Sequence, residues 1–182
     1  MERRELLCTA AVSLLAAGGP RALTHRGVDR AAGVPLGSTS NLFRTQEALV
    51  SAVVDFLVRA DHRRLGRLQG ESPATAEDLA TALARFASAA RTTGREHARA
   101  RQALLVHASD APSPGAALAE GRKRLVIWGT DALRSIGVTR PEEKSALIVG
   151  IVDGMISATV FMGIPVEESA LASAISAIIA DP

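Results

Sequence analysis

The chain has a single cysteine, Cys8, no tyrosine, one tryptophan and four phenylalanines in 182 residues. A lone cysteine excludes an intrachain disulfide framework and any zinc site built from several thiolates. Aromatic residues at 3% argue against an extracellular sandwich or a sugar-binding cleft. The four histidines are scattered without ligand spacing, so no metal is expected. A Walker A loop, a dinucleotide glycine fingerprint, a His-Glu-x-x-His helix and a nucleophile elbow are likewise missing. No catalytic residue and no cofactor is assigned, the chain is not expected to be an enzyme, and Cys8 reads as a small core residue.

What is present suits a packed domain. Hydrophobic residues make up 47% and charged residues 22%, enough apolar material for a core and too little charge for disorder. The formal net charge of +2 conceals a division: residues 1–68 hold ten arginines against six acids, whereas the remainder is mildly acidic. A basic front on an acidic body directs attention to anionic partners of the first segment.

The opening Met-Glu-Arg-Arg-Glu lacks the charged, apolar, small-residue order of a signal peptide, so a cytoplasmic location is expected. Ala146 to Ile164 approaches membrane-spanning length, but Asp153 lies at its centre and Gly150, Gly154 and Gly163 interrupt it. A helix buried in a core or an oligomer seam fits it better, and no membrane partner is expected.

The periodicity predicts an all-α fold of about nine helices. Leu6, Leu7, Ala10, Ala11, Leu14 and Leu15 form the stripe of a first helix ended by Gly18-Gly19-Pro20. Thr24 caps a second helix that Gly33 stops, Val34-Pro35 turns the chain, and a short third helix covers about residues 36–43. Thr45 caps a long fourth helix to about residue 68, and Gly70-Glu71-Ser72-Pro73 reads as a linker. Helices follow from about Thr75 and from Arg95 to His107, then Ser109 to Gly115 reads as a loop. A seventh helix ends at Gly137, Thr139 to Glu142 reads as a capping box opening an eighth, and Ile164-Pro165 breaks it before a ninth.

The second and third helices have the dimensions of a helix-turn-helix, in which the second helix enters the major groove. Ser38, Thr39, Ser40 and Asn41 can hydrogen-bond, His25, Arg26 and Arg44 are basic, and Val28, Ala32, Val34, Leu42 and Phe43 are expected to pack. Thr24, Ala32-Gly33-Val34, Gly37-Ser38, Phe43 and Glu47-Ala48-Leu49 follow one another at set positions along this segment. On these residues, the stretch from 3 to 60 resembles the head of TetR-family transcriptional regulators. Three positions depart from the family pattern. Asp29 stands where a small apolar residue is usual, Ser40 where Tyr is, and Gln46 where Lys is. A charge at Asp29 needs a partner, for which the amides and hydroxyls opening the third helix are candidates.

The resemblance implies residues 1–46 as a DNA-binding head and 47–182 as an effector-binding and dimerisation body, linked by the fourth helix at about 45–68. Carried over by position, Thr24, Arg26, Ser38 and Gln46 hold phosphates, with His25 and Ser40 beside them. Pro35, Leu36, Gly37 and Asn41 face base edges. The partners so implied are a double-stranded DNA operator, a second copy of the chain, and a small, largely apolar effector lined by Phe86, His97, Leu104, His107, Trp128 and Met155. The seam of the homodimer would use Ala146, Gly150, Gly154 and Ala158 with Leu171, Ala174, Ile175 and Ile178. Repression of transcription is the family's usual mode. A helical ligand-binding or scaffold protein that does not read DNA is the alternative.

Overall fold

The computed structural model describes residues 2–69, 75–108 and 112–181. Among the described residues there are nine α-helices, two 3-10 turns and no strand, as the periodicity predicts. The helices are α1 (Arg3–Gly18), α2 (His25–Ala31), α3 (Ser38–Leu42), α4 (Gln46–Gln69), α5 (Ala76–Ser88), α6 (Arg95–Ala108), α7 (Pro112–Ser135), α8 (Pro141–Met162) and α9 (Glu168–Ala180). The 3-10 turns, Pro20–Ala22 and Ala89–Arg91, were not legible in the periodicity because each is only three residues long.

Threonine side chains cap three of the helix starts. Thr24 is extended and its Oγ1 accepts the Gly27 amide at 3.0 Å, Thr45 Oγ1 accepts from Ala48, and Thr75 Oγ1 accepts from Asp78. Two expectations at helix starts are corrected. The capping box at Thr139 does not form: Arg140 is the N-cap of α8, in the left-handed region at φ 48°, and Thr139 Oγ1 accepts instead from Lys144. The loop expected to run to Gly115 is helical from Pro112, because proline is tolerated in a first turn where amides lack partners anyway. The expected linker at residues 70–73 lies outside the described residues.

The chain divides into two compact units, Met1–Arg59 with Glu96–Gly121, and Ala60–Arg95 with Arg122–Pro182. Both α4 and α7 contribute residues to each. In the first unit, Leu7, Leu15, Val28, Phe43, Leu49, Val53, Leu57 and Leu104 form one buried cluster. Cys8 belongs to it: the thiol is fully buried 3.7 Å from the Ala52 carbonyl, and burial pushes its pKa up. In the second unit, α5 packs against α8 and α9, burying Leu79, Leu83, Phe86, Ile148, Val152, Leu171, Ile175 and Ile179.

Helix α8 is long and apolar enough to cross a membrane by length and composition, yet 28% of its apolar stretch is buried inside the chain. Its outer face leaves Leu147, Phe161 and Met162 exposed, followed by Ile164. Within one chain α8 is therefore buried along one face, through Ile148, Val152 and Ile156, and not all round.

Candidate nucleic-acid interface

The site begins with how α2 stops. Gly33 takes φ +64°, which an L side chain rarely adopts, and lets the chain reverse. The Val34 amide then reaches back to the Asp29 carbonyl at 3.0 Å and the Gly33 amide to the Arg30 carbonyl at 3.2 Å, which is a Schellman motif. Val34 and Pro35 complete the turn, and a second left-handed glycine, Gly37 at φ +93°, opens α3.

Asp29 ends one helix with its carbonyl and opens the next with its carboxylate. Oδ2 accepts the Gly37 amide at 2.8 Å, and Oδ1 accepts the Thr39 amide at 2.8 Å and the Thr39 hydroxyl at 2.6 Å. These are the partners that a charge at this position required. Burial alone would raise the carboxyl's pKa, but the bonds from Thr39 and Gly37, with the field of His25, outweigh it and hold the value below the ordinary carboxylate range.

Two other α2 and α4 side chains brace the head. His25 Nε2 lies 2.7 Å from the Phe43 carbonyl, an acceptor that requires the proton on that nitrogen. Gln46 Nε2 donates to the Leu23 carbonyl at 2.7 Å. Ser38 is buried; its hydroxyl donates to the Pro35 carbonyl and accepts from Arg3 Nη2 at 2.8 Å. Thr24 Oγ1 serves the α2 cap, and Ser40 Oγ donates to the Gly37 carbonyl at 3.1 Å. Polar atoms of Thr24, His25, Ser38, Ser40 and Gln46 are thus already bonded within the head.

Arg26, Pro35, Leu36, Ser40 and Asn41 are exposed on it, with Gly37 half-buried among them. Leu36 at 65% exposure is a large apolar side chain presented to solvent at the turn. Leu42, expected to pack, is exposed too, because the buried stripe of the short α3 runs through Thr39 and Phe43, four residues apart. Arg3 and Arg4 enter the site unexpectedly: Arg3 reaches Ser38, and the Arg4 guanidinium stacks 5.2 Å above the Phe43 ring. The Arg-Arg pair was visible in the sequence, but its approach to α3 depends on how α1 packs.

The residues expected around an effector fall in both units. Leu104 is buried in the core of the first unit, where His97 lies against the Phe56 ring at 6.1 Å. Phe86 is buried in the second unit, where half-buried Trp128 meets the His62 ring at a tilt, with centroids 4.8 Å apart, and Met155 is half-buried. The side chain of His107 lies outside the described residues. A cavity of about 400 Å³ in the second unit is lined by none of them; Arg140, Lys144, Leu147 and Ile178 are among its walls.

The residues expected at a dimer seam also divide. Ala146, Gly154 and Ala174 are exposed, and Gly150, Ala158 and Ile178 half-buried. Leu171 at 6% and Ile175 at 0% exposure are buried within the chain, where they pack the inner face of α9 in the second unit. They are corrected from seam to core: the small residues and Ile178 face outward, while this leucine and isoleucine turn in.

The same architecture recurs in solved structures. A candidate TetR-family transcriptional regulator from Rhodococcus sp. superposes with TM-score 0.86 at 22% identity, over 98% of each chain. A TetR-family member from Streptomyces coelicolor A3, SCO1917, does so with TM-score 0.75 at 24% identity over 100% of both chains. The multidrug binding protein EbrR, solved with ethidium, matches with TM-score 0.73 at 24% identity, over 99% of this chain and 100% of that one. No curated protein matches the chain in sequence. The family described as Tetracyclin repressor-like, C-terminal domain, matches residues 74–181, more than half of the chain and a stretch separate from the helix-turn-helix. The chain belongs to the TetR family of transcriptional regulators.

Proposed function

We propose that the protein is a cytoplasmic transcriptional repressor that binds a palindromic operator as a homodimer and is released by a small, largely apolar effector. The observation that carries the reading is the braced helix-turn-helix whose free face offers Arg26, Pro35, Leu36 and Asn41. Arg26 supplies sequence-independent attraction to phosphate, and Asn41 suits the paired donor and acceptor of adenine. Pro35 and Leu36 suit a thymine methyl group. Thr24, Ser38 and Gln46, whose side chains are bonded internally, contribute to phosphate contact by shaping the surface that Arg26 and Arg3 occupy.

The exposed apolar face of α8, with Ala146, Leu147, Gly150, Gly154 and Ala158, is the surface a second copy would cover, together with Ala174 and Ile178 of α9. A two-fold dimer places two heads for two half-sites, hence the palindrome. The effector, lodged among side chains such as Phe86, Trp128 and Met155, acts only through different affinity for the DNA-bound and free states. EbrR binds ethidium; an apolar compound is the expectation here because the candidate lining is apolar.

The test is selection of duplexes from a random pool, followed by footprinting on the DNA upstream of the protein's own gene. A protected near-palindrome, bound by two chains in sedimentation analysis, supports the reading. Binding without sequence preference at physiological salt overturns it.

A further inference from the structure

Helix α3 is five residues long, Ser38–Leu42. Isolated helices shorter than about 12 residues are marginal in water, so α3 depends on what grips it. Its own N-cap, Gly37, has no side chain to receive the unpaired amides of a first turn. Those of Gly37 and Thr39 go to Asp29, eight and ten residues earlier, with the Thr39 hydroxyl as a third donor. Asp29 is 1% exposed and Thr39 fully buried. A buried carboxylate is costly unless its oxygens are satisfied, and both oxygens here are.

The other end of α3 is held from the same edge of α2. His25 and Asp29 lie four residues apart, one turn along one face, and His25 bonds the Phe43 carbonyl that ends α3. One side of α2 therefore grips both ends of α3. Two oxygens of a single carboxylate, each on a different amide, leave α3 little freedom to rotate about its axis. That rotation decides where Asn41, on the exposed side of α3, stands.

Sequence reading and phosphate attraction make different demands on such an arrangement. A base-edge hydrogen bond needs its side chain placed to a fraction of an ångström, whereas phosphate attraction tolerates displacement. A negative charge in a DNA-facing head also works against phosphate attraction. An acid retained there costs non-specific affinity, so its contribution lies in geometry.

We propose that Asp29, through Thr39, is a positioning residue for sequence reading: it sets the rotation of α3 and so separates operator from other DNA without touching either. The proposal rests on the DNA-reading function above. Two effects distinguish it from a general structural role. Loss of the carboxylate lowers affinity for the operator, and it leaves affinity for other DNA unchanged or raised.

The test uses the full chain and a duplex that the wild type selects from a random pool, with a scrambled duplex of equal length as the reference. Both are titrated at matched salt with wild type, Asp29→Asn, Thr39→Val and Thr39→Ser. Asp29→Asn and Thr39→Val should each lower the ratio of operator to scrambled affinity by about tenfold, the size of one lost base contact. Thr39→Ser keeps the hydroxyl and should restore most of the ratio. In the free protein, amide exchange at Gly37 and Thr39 should accelerate in Asp29→Asn while exchange in α8 does not change. Thr39→Val replaces a hydroxyl by a methyl at nearly constant shape, so the outcome does not hinge on the Asp29 variant folding. An equal fall on both duplexes, or a ratio within about twofold of wild type, overturns the proposal. A wild type that selects no sequence overturns the DNA-reading function and the positioning role together; selective variants beside a selective wild type overturn the positioning role alone.

Discussion

The side-chain amide of Gln46 donates from Nε2 to the backbone carbonyl of Leu23 at 2.7 Å, tying the first residue of α4 to the residue before the cap of α2. The resemblance that identified the head has lysine at this position, where a charged side chain suits a phosphate. A neutral amide releases no counterion from DNA, and here it joins two backbone segments. Gln46→Ala should destabilise the protein by about 1 kcal/mol and leave the salt dependence of DNA binding unchanged. Gln46→Lys should steepen that dependence by about 0.9 for each phosphate gained. Thermal unfolding and anisotropy titrations across a salt series measure the two effects.

Arg26 is exposed at the start of α2, beside the Thr24 cap. Its replacement by alanine removes charge without removing a base contact. Affinity should fall for operator and scrambled duplex alike, and the salt slope should flatten by about 0.9 for each phosphate lost. An unchanged slope would remove Arg26 from the phosphate contacts.

Asp29 makes an acid-stability prediction. Its folded pKa lies below the ordinary carboxylate range, so the unfolded chain takes up the proton first as pH falls. The stabilisation is fully present above the unfolded value of about 3.9 and is lost as pH drops through the lowered folded value. The stability difference between wild type and Asp29→Asn should be constant from about pH 5 upward and shrink in stronger acid. Chemical denaturation at a series of pH values reads it directly, and a difference that grows in acid would contradict the assignment.

Lys144 is 4% exposed, and its ammonium donates to Thr139 Oγ1 at 3.3 Å, to the Ile179 carbonyl at 3.0 Å and to the Asp181 carbonyl. It therefore joins the start of α8 to the end of α9, where a helix presents carbonyls without partners. Lys144→Met keeps the apolar stem and removes the three bonds. A loss of about 2 kcal/mol in stability is expected, with faster amide exchange at the end of α9. Exchange in α2 and α3, which belong to the other unit, should not change.

Much of the fold was legible because helices announce themselves locally. Thr24, Thr45 and Thr75 each precede a periodic run, and each caps the helix it was expected to open or adjoin. The failures occurred where two local signals compete. Thr139 and Glu142 have capping-box spacing, but Lys144 captures the Thr139 hydroxyl and Arg140 becomes the cap. Pro112 and Pro114 can end a helix or begin one, and the choice depends on the tertiary fold. At the candidate site, residue types named a segment but not the state of each side chain. Ser38 can bond phosphate in principle; burial against Arg3 and Pro35 commits its hydroxyl elsewhere.

The sequence alone determined that this protein is helical, that its first segment is basic with the dimensions of a helix-turn-helix, and that a Walker A loop, a dinucleotide fingerprint and a nucleophile elbow are not among its motifs. Those properties depend on periodicity, charge and spacing, all carried by neighbours along the chain. Tertiary structure decided which side chains remain available. Asp29 looked like an anomaly in α2 until α3 folded against it and supplied three donors. Leu171 and Ile175 looked like seam residues until α5 covered them. Both outcomes turn on hydrogen bonds and burial between segments distant in sequence, where no local pattern records which polar atom meets which partner.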